Sequence, residues 1–134
     1  MATARAHTRI ARPADEVWAL VTDPTRINGW FPGVDGCTFD DGVRHVHVVG
    51  DIEVDEKIVT NDVALRRFQY SLVPSAVVPL ESHLATVDVL DDGDGALVVY
   101  SIEVAPEAFG PSMQQSADGA VAGLKAYVEG ATPA

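Results

Sequence analysis

Between residues 37 and 104 the chain alternates apolar and polar side chains in short stretches that are separated by even shorter turns. Alternation with a period of two is typical of β-strands that bury one face. The turns fall at residues 40–42, 50–51, 61–62 and 91–95. Connections this short join antiparallel neighbours, because a parallel pair needs a long crossover. The pattern therefore predicts an antiparallel sheet.

The sequence predicts seven strands and two short helices before the C-terminal region. The strands are residues 4–10, 37–39, 43–49, 52–60, 66–72, 80–90 and 96–104. Pro13, followed by Asp15 and Glu16, is typical of the first turn of a helix. Asp23 and Pro24 begin a second short helix that is expected to end near residue 29. Both short helices therefore lie between strands 1 and 2.

A long helix is predicted over residues 111–129, since Pro111 suits its first turn and no further proline follows until Pro133. At about 100° per residue, one side of this helix is apolar and the opposite side is polar. The apolar side consists of Met113, Ala117, Ala120, Val121, Leu124 and Val128, with the small residues Ser112, Ser116, Gly119 and Gly123 beside it. Small residues on a buried face either let helix and sheet approach closely or leave room for a cavity. The helix alone does not distinguish these alternatives.

The inward face of the predicted sheet carries four side chains that are not aliphatic: Glu56, Tyr70, His83 and Tyr100. A buried carboxylate without a partner is costly, so Glu56 is expected to have a hydrogen-bond donor or water nearby. A wet, mostly apolar pocket would supply one. The apolar loop 73–79 either covers such a pocket or packs over the edge of the sheet.

Composition limits the functions that such a chain can have. Its 134 residues fit one domain, 1–134. Nine basic against twenty acidic residues give a net charge of −11, which makes nucleic acid and anionic membrane surfaces poor partners. No apolar run approaches the ~18 residues of a membrane span. Cys37 is the only cysteine, expected to be a small apolar residue in a strand, and the lack of a disulfide suits a cytoplasmic protein.

Several short stretches, in this order and spacing, resemble the SRPBCC superfamily of START-like, Bet v 1-like domains. They are residues 10–23 (IARPADEVWALVTD), residues 30–34 (WFPGV), Glu56-x-Ile58-x-x-x-Asp62, Tyr70, and residues 92–95 before Val98-Val-Tyr100-Ser. The chain resembles the polyketide cyclase/dehydrase branch and also resembles the plant abscisic-acid receptors and their bacterial relatives. The resemblance implies an α+β helix-grip fold, in which a curved antiparallel sheet of about seven strands wraps around the long C-terminal helix. A ligand cavity would lie between them.

The resemblance also implies which side chains point into that cavity. It turns Arg44, Val46 and Val48 inward, so His45 and His47 on the same strand face solvent and no metal site is expected there. The residues predicted to contact ligand are Val46, Val48, Glu56, Ile58, Phe68, Tyr70, His83, Tyr100, Met113, Ala117, Ala120, Val121 and Leu124. No cofactor is expected, because no cofactor-binding loop is present.

These residues support three functional hypotheses. The first is a protein that binds a small hydrophobic molecule of the polyketide, lipid or isoprenoid type. The second is a polyketide cyclase or dehydratase in which Glu56 and His83 are the catalytic acid and base and two tyrosines, Tyr70 and Tyr100, donate hydrogen bonds. The third is a co-chaperone-like module that binds a protein through a surface apolar patch. The first is favoured because no nucleophile motif appears, and the sequence identifies no protein partner.

Overall fold

The computed structural model describes residues 1–130. Its strands are β1 (Ala2–Ile10), β2 (Val34–Asp40), β3 (Val43–Val48), β4 (Ile52–Asp62), β5 (Arg67–Leu72), β6 (Ser82–Asp92) and β7 (Gly95–Ala105). Its α-helices are α1 (Ala14–Val21) and α2 (Gly110–Gly130), and single 3₁₀ turns lie at Ile27–Gly29 and Glu107–Phe109. Within this part of the chain, no helix combines the length and the apolar character needed to cross a membrane.

The seven strands form one antiparallel sheet in the order β1-β7-β6-β5-β4-β3-β2. Strands β2 to β7 follow one another as a meander, and β1 pairs with β7 at the far edge. Helix α2 packs on β1 and β7, and its Ala117, Ala120 and Leu124 side chains are fully buried there. The predicted helix-grip fold is therefore confirmed, with the sheet wrapped around one long helix.

Several elements differ in their bounds from the sequence prediction. Strand β2 is longer than the predicted 37–39, because it continues to pair with β3 past a bulge near Gly36. The second short helix is the 3₁₀ turn Ile27–Gly29 and begins later than expected. The reason is local: Asp23 Oδ1 accepts hydrogen bonds from the Thr25 backbone N–H (2.9 Å) and hydroxyl (2.6 Å), which holds this segment in a turn.

The small residues of α2 serve two separate purposes. A Cβ atom on Gly123 would lie 2.4 Å from the Trp30 carbonyl oxygen and 3.0 Å from Pro32 Cδ, so only glycine lets this segment pack against the helix. Ser112 and Ser116, about three and two turns earlier, line a pocket between the helix and the sheet instead. The small residues of α2 thus allow close packing at one end of the helix and leave a pocket at the other. The close packing is against the segment before β2 and not against the sheet.

Candidate functional site

A pocket of about 240 Å³ lies between the sheet and the N-terminal half of α2. Every strand except β1 contributes to it. Its lining is Ile27, Phe31, Val34, Val46, Val48, Val54, Glu56, Tyr70, Leu72, His83, Ile102, Ser112, Met113 and Ser116. Apolar side chains dominate this set, and Glu56 is the only residue of Asp, Glu, Lys or Arg type in it. Such a lining suits a small apolar ligand that is oriented by a few polar groups.

Glu56 is held by a buried partner on the neighbouring strand. The register of β3 and β4 places Arg44 directly opposite Glu56. The Arg44 Nε and Nη2 atoms lie 2.7 and 2.6 Å from Glu56 Oε1. The guanidinium carbon lies 5.4 Å from the ring centroid of Phe68 and 5.2 Å from that of Tyr70. Arg44 is therefore the donor that the sequence analysis expected for this carboxylate, and two aromatic faces surround it.

The charge state of Glu56 follows from these contacts. Burial raises the pKa of the Glu56 carboxyl from its usual value, and the positive charge of Arg44 opposes that rise. A neutral Glu56 would leave the guanidinium as an unpaired buried charge, so the pair is ionised together. No donor among residues 1–130 contacts the second oxygen, Oε2, and no fully enclosed polar side-chain atom in these residues lacks a partner. Because Glu56 lines the pocket, we infer that Oε2 faces the pocket.

His83 presents a hydrogen-bond donor to the same pocket. The Leu72 backbone N–H donates to His83 Nδ1 over 3.1 Å, so Nδ1 carries the lone pair. Burial lowers the pKa of His83 to about 4, which keeps the ring neutral near pH 7. The proton of the neutral ring therefore resides on Nε2, which has no hydrogen bond to another residue among 1–130. His83 lines the pocket, and its ring packs against that of Tyr70 with 5.8 Å between centroids.

The two tyrosines are paired with each other. The hydroxyl groups of Tyr70 and Tyr100 are hydrogen-bonded to one another in the core. Burial raises the pKa of both phenols, so both stay protonated. Tyr70 lines the pocket, whereas Tyr100 is 1% exposed and lies outside its lining. Tyr100 therefore contacts a residue of the pocket lining without lining the pocket itself.

The structure brings together about half of the predicted ligand contacts. Val46, Val48, Glu56, Tyr70, His83 and Met113 line the pocket. The other seven, which are Ile58, Phe68, Tyr100, Ala117, Ala120, Val121 and Leu124, lie in or against the packed core. As ligand contacts, both groups remain predictions. The core residues fill the space beneath the C-terminal half of α2, and the pocket is confined to its N-terminal half.

The sequence analysis missed several residues that line the pocket. Val54, Leu72 and Ile102 share strand faces with residues that were predicted. The alternation of apolar and polar residues was therefore sufficient to predict them as well. Phe31 and Val34 come from the segment before β2, for which no periodic signal exists. The Arg44–Glu56 pair had a signal, because a hairpin centred on Gly50 places these two residues opposite each other.

The loop before β6 packs near one end of the pocket lining. Val78 and Leu80 are buried with Val104, and Leu72 and Met113 of the pocket lining pack against the same cluster. Val73 and Val77 are exposed, at 41% and 63%. The loop thus packs over the end of the sheet and contacts two residues of the pocket lining, and its role as a cover for the pocket stays a prediction.

A larger, open depression of about 670 Å³ runs along β2, β3 and β4. His45 within it bridges Asp55 (2.7 Å) and Asp40 (2.8 Å), and His47 is bonded to Asp35. The carboxylates raise the pKa of both histidines. Residues 1–130 contain no group of three side chains placed to hold a metal ion. Both histidines are already hydrogen-bonded to aspartates, so this depression has fewer polar groups available to a ligand than the pocket between the sheet and α2.

Comparison with known proteins assigns the chain to a family. The sequence profile of the family described as "Polyketide cyclase / dehydrase and lipid transport" matches residues 1–131. The chain belongs to this family, within the SRPBCC superfamily of START-like, Bet v 1-like domains. A search of curated proteins gave no significant match.

Solved structures share the fold over nearly the whole chain. XoxI from Bacillus cereus is 17% identical, with a TM-score of 0.87 and coverage of 99% of this chain and 100% of that one. A Thermobifida fusca protein solved by NMR is 28% identical, with a TM-score of 0.78 and coverage of 96% and 92%. The di-domain ARO/CYC protein BexL, from a biosynthetic pathway, is 20% identical with a TM-score of 0.76, and the match covers 96% of this chain and 47% of BexL.

Proposed function

We propose that the chain is a single ligand-binding domain that encloses a small hydrophobic molecule of the polyketide, lipid or isoprenoid type. The observation that carries this proposal is the pocket itself, about 240 Å³ of space lined mostly by aliphatic and aromatic side chains. Protein interiors are normally close-packed, so a space of this size next to a packed core suits a guest. The family's description, which includes lipid transport, agrees with this class of ligand.

The titratable groups of the pocket favour binding over acid–base catalysis. An efficient general acid or base has a pKa near the working pH. The pKa of His83 is about 4, and its Nδ1 atom already accepts the Leu72 N–H. The negative charge of Glu56 is balanced by Arg44 at 2.6 Å. Both groups are better placed to orient a ligand than to exchange protons with it.

Native mass spectrometry of the protein purified from its own host tests the proposal. We expect a retained small molecule that is released by organic extraction. A Ser116→Met variant, which extends a side chain into the pocket, is expected to lose it. Ala122→Met is the matched control, because Ala122 is exposed on the same helix. A protein that carries no small molecule and also fails to bind added naphthalene would contradict the proposal.

A further inference from the structure

We propose that the pocket selects uncharged ligands that carry hydroxyl groups on a small apolar skeleton, such as phenols, and rejects carboxylates of the same size. The inference rests on the proposed function and specifies the ligand class for that pocket. Its basis is the pair of polar atoms that the pocket leaves without protein partners, Glu56 Oε2 and His83 Nε2.

One of these atoms is a hydrogen-bond acceptor and the other carries a hydrogen that it can donate. An ionised carboxylate accepts hydrogen bonds and cannot donate, so Glu56 Oε2 requires a donor on the ligand. The His83 ring, with its lone pair on Nδ1 engaged by the Leu72 N–H, presents Nε2–H and requires an acceptor. A hydroxyl group can fill either role. A ligand without polar atoms would leave both positions unpaired, which is costly in an apolar site.

Strand pairing sets the distance between the backbones of Glu56 and His83. Leu72 is the register partner of Glu56, and its backbone N–H bonds the ring of His83 on the next strand. The two polar side chains therefore flank Leu72 across three neighbouring strands. With about 4.8 Å between strands, the Cα atoms of Glu56 and His83 are roughly 10 Å apart. The two side chains therefore start from separate strands, and a small ring system can meet one of them with an oxygen at one end.

The charges around the pocket exclude ionised ligands. No lysine or arginine side chain is part of the lining, and the one adjacent cation, Arg44, is already paired with Glu56. A ligand carboxylate would meet the Glu56 carboxylate with no cation to balance it. A ligand ammonium would lose its hydration beside a pair whose net charge is zero. A neutral ligand avoids both costs.

The volume limits the size of the skeleton. Pockets for drug-sized ligands run from about 300 to 1,000 Å³, whereas this pocket has about 240 Å³. A ligand with two fused rings is therefore a suitable probe. Four probes share the same two-ring skeleton and differ only in their polar group, so they separate neutral, hydroxylated, anionic and cationic ligands. They are naphthalene, 2-naphthol, 2-naphthoate and 2-(aminomethyl)naphthalene.

Calorimetric titration of the four probes at pH 7 tests the inference. We expect 2-naphthol to bind about tenfold more tightly than naphthalene, and each ionised probe to bind at least tenfold more weakly than 2-naphthol. The advantage of 2-naphthol over naphthalene is expected to fall below about threefold in the Arg44→Met/Glu56→Leu double variant, which removes the acceptor together with its buried partner. The double variant is used because Glu56→Leu alone leaves a buried cation. His83→Phe is the second variant, and Ala122→Met is the control that keeps the order of affinities.

The outcomes separate this inference from the proposed function. If naphthalene binds and 2-naphthol binds no more tightly, or if 2-naphthoate binds as tightly as 2-naphthol, the hydroxyl preference is overturned and the proposed function stands. An advantage of 2-naphthol that survives in both variants also overturns the assignment to Glu56 and His83. If none of the four probes binds, the inference fails; if the protein from its own host also carries no small molecule, the proposed function fails with it.

Discussion

Arg44 and Glu56 face each other across β3 and β4 and form an ion pair inside the sheet, with Nη2 2.6 Å from Oε1 and side-chain exposures of 2% and 8%. Breaking such a pair from one side leaves an unpaired buried charge. We expect Arg44→Met and Glu56→Gln each to lower the free energy of unfolding by about 3–5 kcal/mol. The free energy of unfolding of the double variant is expected to fall by less than the sum of the two single effects. Urea denaturation of the four proteins measures the coupling.

The exposed pair Arg67–Asp88 is the control for this cycle. Its Nε–Oδ1 distance is 2.8 Å, but its side chains are 44% and 22% exposed. We expect Arg67→Met to cost less than about 1 kcal/mol, because solvent screens surface ion pairs. Equal effects at the buried and exposed pairs would show that Arg44 and Glu56 are not enclosed as described.

The second prediction concerns the protonation of His83. NMR titration is expected to show a pKa near 4 for this ring, with the proton on Nε2 at neutral pH. His45 is expected to titrate above 6.5, because hydrogen bonds to Asp55 and Asp40 raise its pKa. A His83 ring that titrates at 6.5 would contradict its burial, and a ring that carries its proton on Nδ1 would contradict the hydrogen bond from Leu72.

The lowered pKa of His83 also predicts how stability depends on pH. The folded value of about 4 lies below the reference value of 6.5, so the unfolded chain takes up the proton first as the pH falls. The contribution of neutral His83 is complete above pH 6.5 and is lost between pH 6.5 and pH 4. We expect wild type to lose roughly 2–3 kcal/mol more than His83→Phe across this window, measured by urea denaturation. If the free energies of unfolding of the two proteins change in parallel with pH, the lowered pKa of His83 is contradicted.

The third prediction uses two glycines of α2 as a matched pair. A Cβ on Gly123 would lie 2.4 Å from the Trp30 carbonyl oxygen, whereas a Cβ on Gly119 would lie 3.8 Å from Pro32 Cγ. We expect Gly123→Ala to destabilise the protein by about 1–3 kcal/mol, because backbone must move. Gly119→Ala is expected to stabilise it by roughly 0.5–1 kcal/mol through helix propensity. Thermal denaturation measures both, and a stabilising Gly123→Ala would contradict the packing of residues 30–32 on α2.

The sequence predicted the fold well because its signals are local. Alternation and short turns fixed the meander, and the apolar side of 111–129 identified the long helix. The Arg44–Glu56 pair could also have been derived, since hairpin register follows from the turn at Gly50. The resemblance to a known family supplied the remaining element, the wrapping of the sheet around the helix.

The details of the pocket depend on contacts between distant parts of the chain and could not be predicted. Ser116 and Gly123 are both small residues beside the apolar side of α2, yet one lines the pocket and the other contacts Trp30. Which residue does which depends on where the segment before β2 packs. The tautomer of His83 likewise depends on the direction of the Leu72 N–H.

The cytoplasmic location stays a prediction.

Methyl NMR during a titration with 2-naphthol tests the central claim most directly. The methyl groups of Val46, Val48, Ile102 and Met113 line the pocket and are expected to shift together and saturably. Those of Val63 and Leu65, which are 71% and 64% exposed, are expected to stay unchanged. If the pocket methyls do not move, or if only the exposed methyls respond, the chain does not enclose a ligand between its sheet and α2.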